Sequence, residues 1–264
     1  MRLSGGIMGL RILLAAILCT AAASAAAPDC AGLVEISDAH IVRVEHNGVL
    51  VLDDGRALSL EGIRLPHDAA DHAPQLLTTQ AYDALNALVK GQVLVAYAVY
   101  PKEDRYDRVR VQAFTQDGTW IQTELLRRGL ARVDLSPDRG ECYRELYDAE
   151  IAARAANAGI WALPAYQVRS ADNVPAVDIG TFQVVMGRVF DSSIVNGRAF
   201  LNFGPDWHTA LTVIISPDDM KTFRAMGVDP LAYKGKMLRV RGFVEAEGRP
   251  EIEIANPKQI ELLQ

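Results

Sequence analysis

Between Ile41 and Ile63 apolar and polar residues alternate, and short turn formers interrupt the alternation twice, at His46-Asn47-Gly48 and at Asp53-Asp54-Gly55. A period of two places successive side chains on opposite faces of a strand, and Asn-Gly and Asp-Gly supply the left-handed backbone of tight hairpins. The stretch therefore predicts three antiparallel strands in a meander. Such a meander has one apolar face, so the residues after it must supply the rest of a core.

From Gln75 to Val89 the residues Leu76, Leu77, Tyr82, Leu85, Leu88 and Val89 recur at helical spacing, and Gly91 ends the pattern. Strands are expected at Gln92–Tyr100 and Val109–Thr115. A helix over Trp120–Arg128 follows the Asp117-Gly118 turn and stops at Gly129. Another spans Tyr143–Ala158, before Gly159-Ile160-Trp161. Three strands, a helix, two strands and closing helices are the order of an OB-type barrel, a β-rich α+β fold, although strand order alone leaves other small barrels open.

Pro164, Pro175 and Gly180 punctuate a stretch with little periodicity, which reads as a linker at 166–180 between a first domain at 28–165 and a second at 181–264. In the second, Thr181–Asp191, Arg198–Phe203 and Thr209–Ile215 read as strands, Pro217–Met226 as a helix, and Met237–Glu245 and Glu251–Ile254 as strands. The order of the first domain repeats, so a second OB-like barrel is expected.

Residues 1–27 stand apart. Arg2 and Arg11 precede the apolar run Ile12–Leu18, and the small residues Ala21–Ala27 lead to Pro28, the layout of a cleaved export signal. The apolar run is shorter than the ~20 residues that cross a bilayer, so the rival reading is an uncleaved anchor. A lipoprotein at Cys19 is a third reading, weakened by Leu18 in front of it. Removal of the signal leaves a periplasmic or secreted chain with no membrane span.

That chain holds two cysteines, Cys30 and Cys142, and in an oxidising compartment they are expected to pair; two unpaired buried thiols are the alternative. A bridge across so long a loop stabilises by up to ~4–5 kcal/mol in the chain-entropy picture. The mature chain carries 25 basic against 33 acidic residues, since both signal charges are arginines, and neither domain has a basic excess. Retention of nucleic acid by counterion release is therefore disfavoured.

Five segments follow one another across nearly the whole first domain: Val51-Leu52-Asp53-Asp54-Gly55-Arg56, Leu60-Glu61-Gly62-Ile63 with Pro66, Asp104-Arg105-Tyr106-Asp107-Arg108, Glu124 to Val133, and Ala158-Gly159-Ile160-Trp161. In this order and spacing the domain resembles the staphylococcal nuclease (thermonuclease) family. The resemblance implies phosphodiester hydrolysis with one calcium ion on acidic ligands, two arginines on the phosphate and a glutamate handling the attacking water. Hard divalent cations take oxygen ligands, and charge developing on phosphate needs fixed positive donors.

Carried over position by position, that machinery is largely missing. The Asp-Gly-Asp-Thr turn that supplies a calcium carboxylate falls on His46-Asn47-Gly48-Val49, so the ligand becomes Gly48. A phosphate arginine becomes Ser59, the second calcium aspartate becomes Arg64, and the glutamate becomes His67. The other arginine persists as Arg108, which reads equally as a surface arginine paired with a nearby carboxylate. No cofactor is expected, because a guanidinium repels the cation that a carboxylate would hold.

The loop His67, Asp68, Asp71 and His72 matches no zinc spacing and reads as a polar connection, with His67 the first residue to test as a base. His40 and His46 lack partners at ligand spacing. Glu45, Asp53 and Asp54 could rebuild a weak calcium site, but hairpin turns already explain the two aspartates. In the second domain Phe200, Phe203, Trp207 and His208 with Arg188 and Arg198 have the flavour of a single-strand-binding barrel, of which Arg188, Arg198, Phe203 and Trp207 are the candidate ligand residues. The expectation is a catalytically impaired relative of nucleases that serves as a structural, protein-binding or ligand-binding module, with an envelope protein as the candidate partner. An active phosphodiesterase using Arg108, His67 and Arg64, or a non-catalytic nucleic-acid binder, is the alternative.

Overall fold

The computed structural model describes residues 30, 32–71, 74–206, 208–246 and 248–263. The signal segment, Cys19, His72 and Trp207 lie outside them. In chain order the first unit comprises β1 (Val34–Val44), β2 (Leu50–Leu52), β3 (Ala57–Leu60), β4 (Gly62–Arg64), α1 (Asp68–Asp71), α2 (Gln75–Val89), β5 (Val93–Ala98), β6 (Val109–Phe114), α3 (Ile121–Arg127), β7 (Arg132–Asp134) and α4 (Tyr143–Ala155).

Five of these strands close a barrel in the order β1-β2-β3-β6-β5, as the order of elements predicts, and β1-β2-β3 is the antiparallel meander. Closure needs one strand to serve two neighbours. The 11-residue β1 does so: Val34–His40 pair with β5 and Ile41–Val44 with β2, and an irregularity between Ile36 and Ala39, where Asp38 has φ 57°, bends it. Strand β3 runs parallel to β6, Leu58 opposite Val109. Leu50, Leu58, Val111 and Ala113 are fully buried inside. Outside the barrel, β4 and β7 form a separate antiparallel pair that sets Arg64 opposite Arg132.

Two resemblance segments meet through glycine. Gly129 after α3 and Gly159 after α4 lie so close that a Cβ on Gly129 would overlap the Ala158 carbonyl and one on Gly159 the Gly129 carbonyl, and both have positive φ. The Ile160 amide donates to Gly129 O at 2.9 Å, so the ends of the two helices are locked together there. Cys30 and Cys142 form a disulfide, tying the start of the described chain to the N-terminal end of α4.

The second unit contains β8 (Arg169–Ser170), β9 (Phe182–Arg188), β10 (Asp191–Val195), β11 (Arg198–Asn202), β12 (Thr212–Ile215), α5 (Asp219–Ala225), β13 (Met237–Phe243), β14 (Glu245–Ala246), β15 (Pro250–Glu253) and β16 (Ile260–Leu263). It consists of two sheets, β10-β11-β12-β15-β14 and β16-β13-β9-β8. One buried cluster takes Leu201 and Val213 from the first and Val185 and Val240 from the second. The parallel pairing of β3 with β6 recurs in β12 with β15.

The stretch read as a linker is packed. Arg169 and Ser170 pair with β9, Ala171 and Val174 join the second core, and Tyr166 is buried with Trp161 and Val184. Short 3-10 turns and a two-residue strand carry no periodicity, which is why the sequence reads as loose there. Among the described residues no helix is long and apolar enough to cross a membrane.

The two units share a polar seam. Arg132, 2% exposed, donates to Asp71 Oδ1 and to Phe182 O, both at 2.6 Å. Arg241, 1% exposed, reaches back from β13 to Glu150 at 2.9 Å and Val133 O at 3.1 Å, and also to Glu261. Asn256 donates to Arg139 O at 2.9 Å. Desolvating such charges is expensive, and they persist in a fold only when each is paired and hydrogen-bonded, as here.

Candidate functional site

A cleft of about 290 Å³ opens at the barrel end of the first unit. The turn between β1 and β2 brings Gly48, β3 brings Ser59, β4 brings Arg64, the loop before α1 brings His67, and the start of β6 is preceded by Arg108. Five positions spread over sixty residues thus line one cavity. His46 and Asp134 complete its polar wall.

Most of these groups are already engaged. Gly48 offers no side chain, has φ +84°, and a Cβ there would stand 2.8 Å from Leu65 Cδ1. Arg108 Nε donates to Asp104 Oδ2 at 2.7 Å, and Nη2 lies 2.6 Å from the same oxygen. Asp104 also accepts the Tyr106 and Arg108 amides. Burial works against the charged form of Asp104, but these hydrogen bonds prevail and hold its carboxyl below the usual range. Asp107, where the resemblance puts a glycine, keeps the required left-handed backbone at φ 59°. Aspartate tolerates that region better than most residues.

His67 is exposed, and its Nδ1 accepts the Ala70 amide at 3.3 Å, capping the one-turn helix α1. That contact engages one of the two ring nitrogens in the local turn. Asp71, four residues further on and outside the cleft lining, is a buried hub: it accepts from Arg132, the Tyr166 hydroxyl and the His67 amide. The polar loop is therefore an anchor for the seam.

Arg64 turns away from solvent. Its Nη1 is 3.5 Å from Asp134 Oδ2 and its Nε 3.8 Å from Asp71 Oδ1, while its Cζ lies over the rings of Phe243 at 4.7 Å and Phe182 at 5.3 Å. Desolvation pushes the Asp134 carboxyl up in spite of Arg64 and Arg132 beside it. Glu61, also raised by desolvation, points into an adjoining groove and accepts from the Ser136 amide and hydroxyl. Asp134, Phe182 and Phe243 carry no signal in the sequence, because only the β4–β7 register and the docking of the second unit bring them here.

The candidates of the second unit are not gathered. Phe203 is 2% exposed within the core, Arg188 is exposed and donates to Gly235 O at 2.7 Å, and Arg198 faces Glu245, Glu251 and Glu253 in a small depression. Phe200 lies under Arg249. Among the described residues no group of three or more His, Cys, Asp or Glu side chains is placed to hold a metal ion.

Residues 57–163 match the family described as Staphylococcal nuclease homologue. The match contains Ser59, Arg64, His67 and Arg108, and Gly48 precedes it. No curated protein matches the chain.

Proposed function

We propose that the chain, whose residues 57–163 match the Staphylococcal nuclease homologue family, is an exported protein whose catalytic apparatus has been dismantled, kept as a structural or protein-binding module of the envelope. One observation carries this reading. The positions that would supply two calcium carboxylates, a phosphate arginine and a general base converge on a single cleft as Gly48, Arg64, Ser59 and His67; the first three lack the required group, and an imidazole stands in place of the glutamate.

Calcium does not fit there. A hard cation needs several oxygen ligands; at the two ligand positions the cleft offers a glycine backed by Leu65 and a guanidinium, and the carboxylate in its wall, Asp134, lies against that guanidinium. The phosphate side fares no better, because Arg108 is closed onto Asp104. A polyphosphate would have to displace an internal carboxylate held by three hydrogen-bond donors. The leader-like residues 1–27 and the Cys30–Cys142 disulfide support export. An envelope protein is the proposed partner class, and the overall acidity argues against nucleic acid.

Purified mature protein incubated with single- and double-stranded DNA and RNA, with and without calcium, is expected to leave all four intact. Hydrolysis that disappears in Arg108→Ala or His67→Ala would overturn the reading and restore the phosphodiesterase alternative.

A further inference from the structure

We propose that the position where the family holds its cation has become the docking residue for the second unit: Arg64 is itself the bound cation, and its cage is built across the seam. The inference deepens the reading of a dismantled site by naming the occupant, this chain's own C-terminal unit.

The cage has two aromatic walls and two carboxylates. Phe182, the first residue of β9, and Phe243, the last of β13, face each other edge to face, with centroids 5.7 Å apart. The Arg64 guanidinium sits against both rings, at 5.3 and 4.7 Å. Its opposite partner on the strand pair, Arg132, lies 4.8 Å from the Phe182 ring and donates to the Phe182 carbonyl. Two cross-strand arginines therefore grip one phenylalanine. Asp71 stands beside both of them, and Asp134 beside Arg64.

Arg64 is held more by rings than by acids. Its hydrogen bond to Asp134 is long, and its buried Nε has no hydrogen-bond partner. Cation–π attraction grows when the pair is removed from water, and Arg64 keeps only 22% of its side-chain surface exposed. Arginine where the family has an aspartate thus does two things at once: it removes a metal ligand and creates a cation whose two aromatic walls both come from the second unit.

Docking has a consequence for the groove. The cleft continues past Ser59 and Asp134 into a second groove whose far wall is Phe182, Gly242, Phe243, Glu245 and Glu253. Held by Arg64, that wall closes the barrel cleft on one side and lines the exit with carboxylates.

The test is a double-mutant cycle in the full chain, combining Arg64→Met with Phe243→Leu and read by denaturant unfolding and by amide exchange of β9. Phe243 is 41% exposed, so its substitution leaves a folded protein. Each single change is expected to lower the folding equilibrium about fivefold, the double change to add little beyond either, and β9 amides to exchange faster in all three. Strict additivity, or unchanged exchange at β9, would overturn the proposal. As a second arm, Arg64→Asp titrated with calcium alone is expected to show faster β9 exchange and no calcium uptake. Calcium binding with β9 still protected would equally sink it. Hydrolysis by the wild-type chain would instead defeat the reading of the cleft and leave the cycle standing.

Discussion

The seam and the cleft are made of the same materials, arginines and carboxylates, and put them to opposite uses. In the seam, Arg132 and Arg241 are withdrawn from water and every interaction crosses between distant parts of the chain. In the cleft, Arg108 bonds a carboxylate four residues away on its own loop, in reach of solvent. An arginine beside an acid is therefore weak evidence for a phosphate site. Burial and the number of chain-distant acceptors separate a structural charge from one that is free to act.

Removing a seam charge is the harshest way to break this comparison. Arg241→Met takes from buried Glu150 its hydrogen-bonded cation and leaves only Arg154, 3.7 Å away, and losing one partner of a buried pair costs about 3–5 kcal/mol. Thermal or urea unfolding of the full chain should show that loss, and Arg108→Met should lose less than a quarter as much. Equal effects would mean that the two regions do not differ as described.

The barrel and its helices were legible because their signals are local. Gln75–Val89 has the same bounds in the sequence reading and in the structure, since an apolar stripe fixes a helix without knowledge of its partner. The antiparallel hairpin of β10 and β11 was missed even though Asn196-Gly197, both with positive φ, carries the strongest turn signal in the second half. Its strand Asp191–Val195 is mostly solvent-facing and polar, so no alternation marks it. Strand β16 was missed too. The cleft was legible position by position only through the resemblance, whereas Asp134 and the Phe182–Phe243 pair depend on long-range register that no window of sequence contains. Arg132 and Arg241 looked like ordinary strand arginines for the same reason.

A milder probe asks whether the cleft can be rebuilt. Gly48→Asp must take a left-handed backbone with its Cβ against Leu65, and a non-glycine residue there costs about 1–2 kcal/mol. The variant should melt lower and still give no calcium response in a titration. Calcium-dependent recovery of its melting temperature would show that the cleft retains latent metal ligands, and the contrast with the seam would blur.

The finest distinction lies in pH. Glu61 is buried and desolvation raises its pKa, so the folded chain binds a proton more readily than the unfolded chain does. Between the unfolded value, about 4.3, and the raised folded value the native state holds more protons, so stability falls as pH rises through that window. Asp104 has the opposite sign: its lowered pKa contributes stability above the ordinary aspartate range and loses it as pH falls through the folded value. Glu61→Gln keeps an acceptor for Ser136 and removes the titration. Its unfolding free energy, measured from pH 4.5 to 7, should show a flatter decline than the wild type, while Asp104→Asn should alter the curve only at the acid end. If Glu61→Gln left the slope unchanged, the carboxyl would be titrating as a solvated group, and the groove beside the cleft would be wetter than its burial implies.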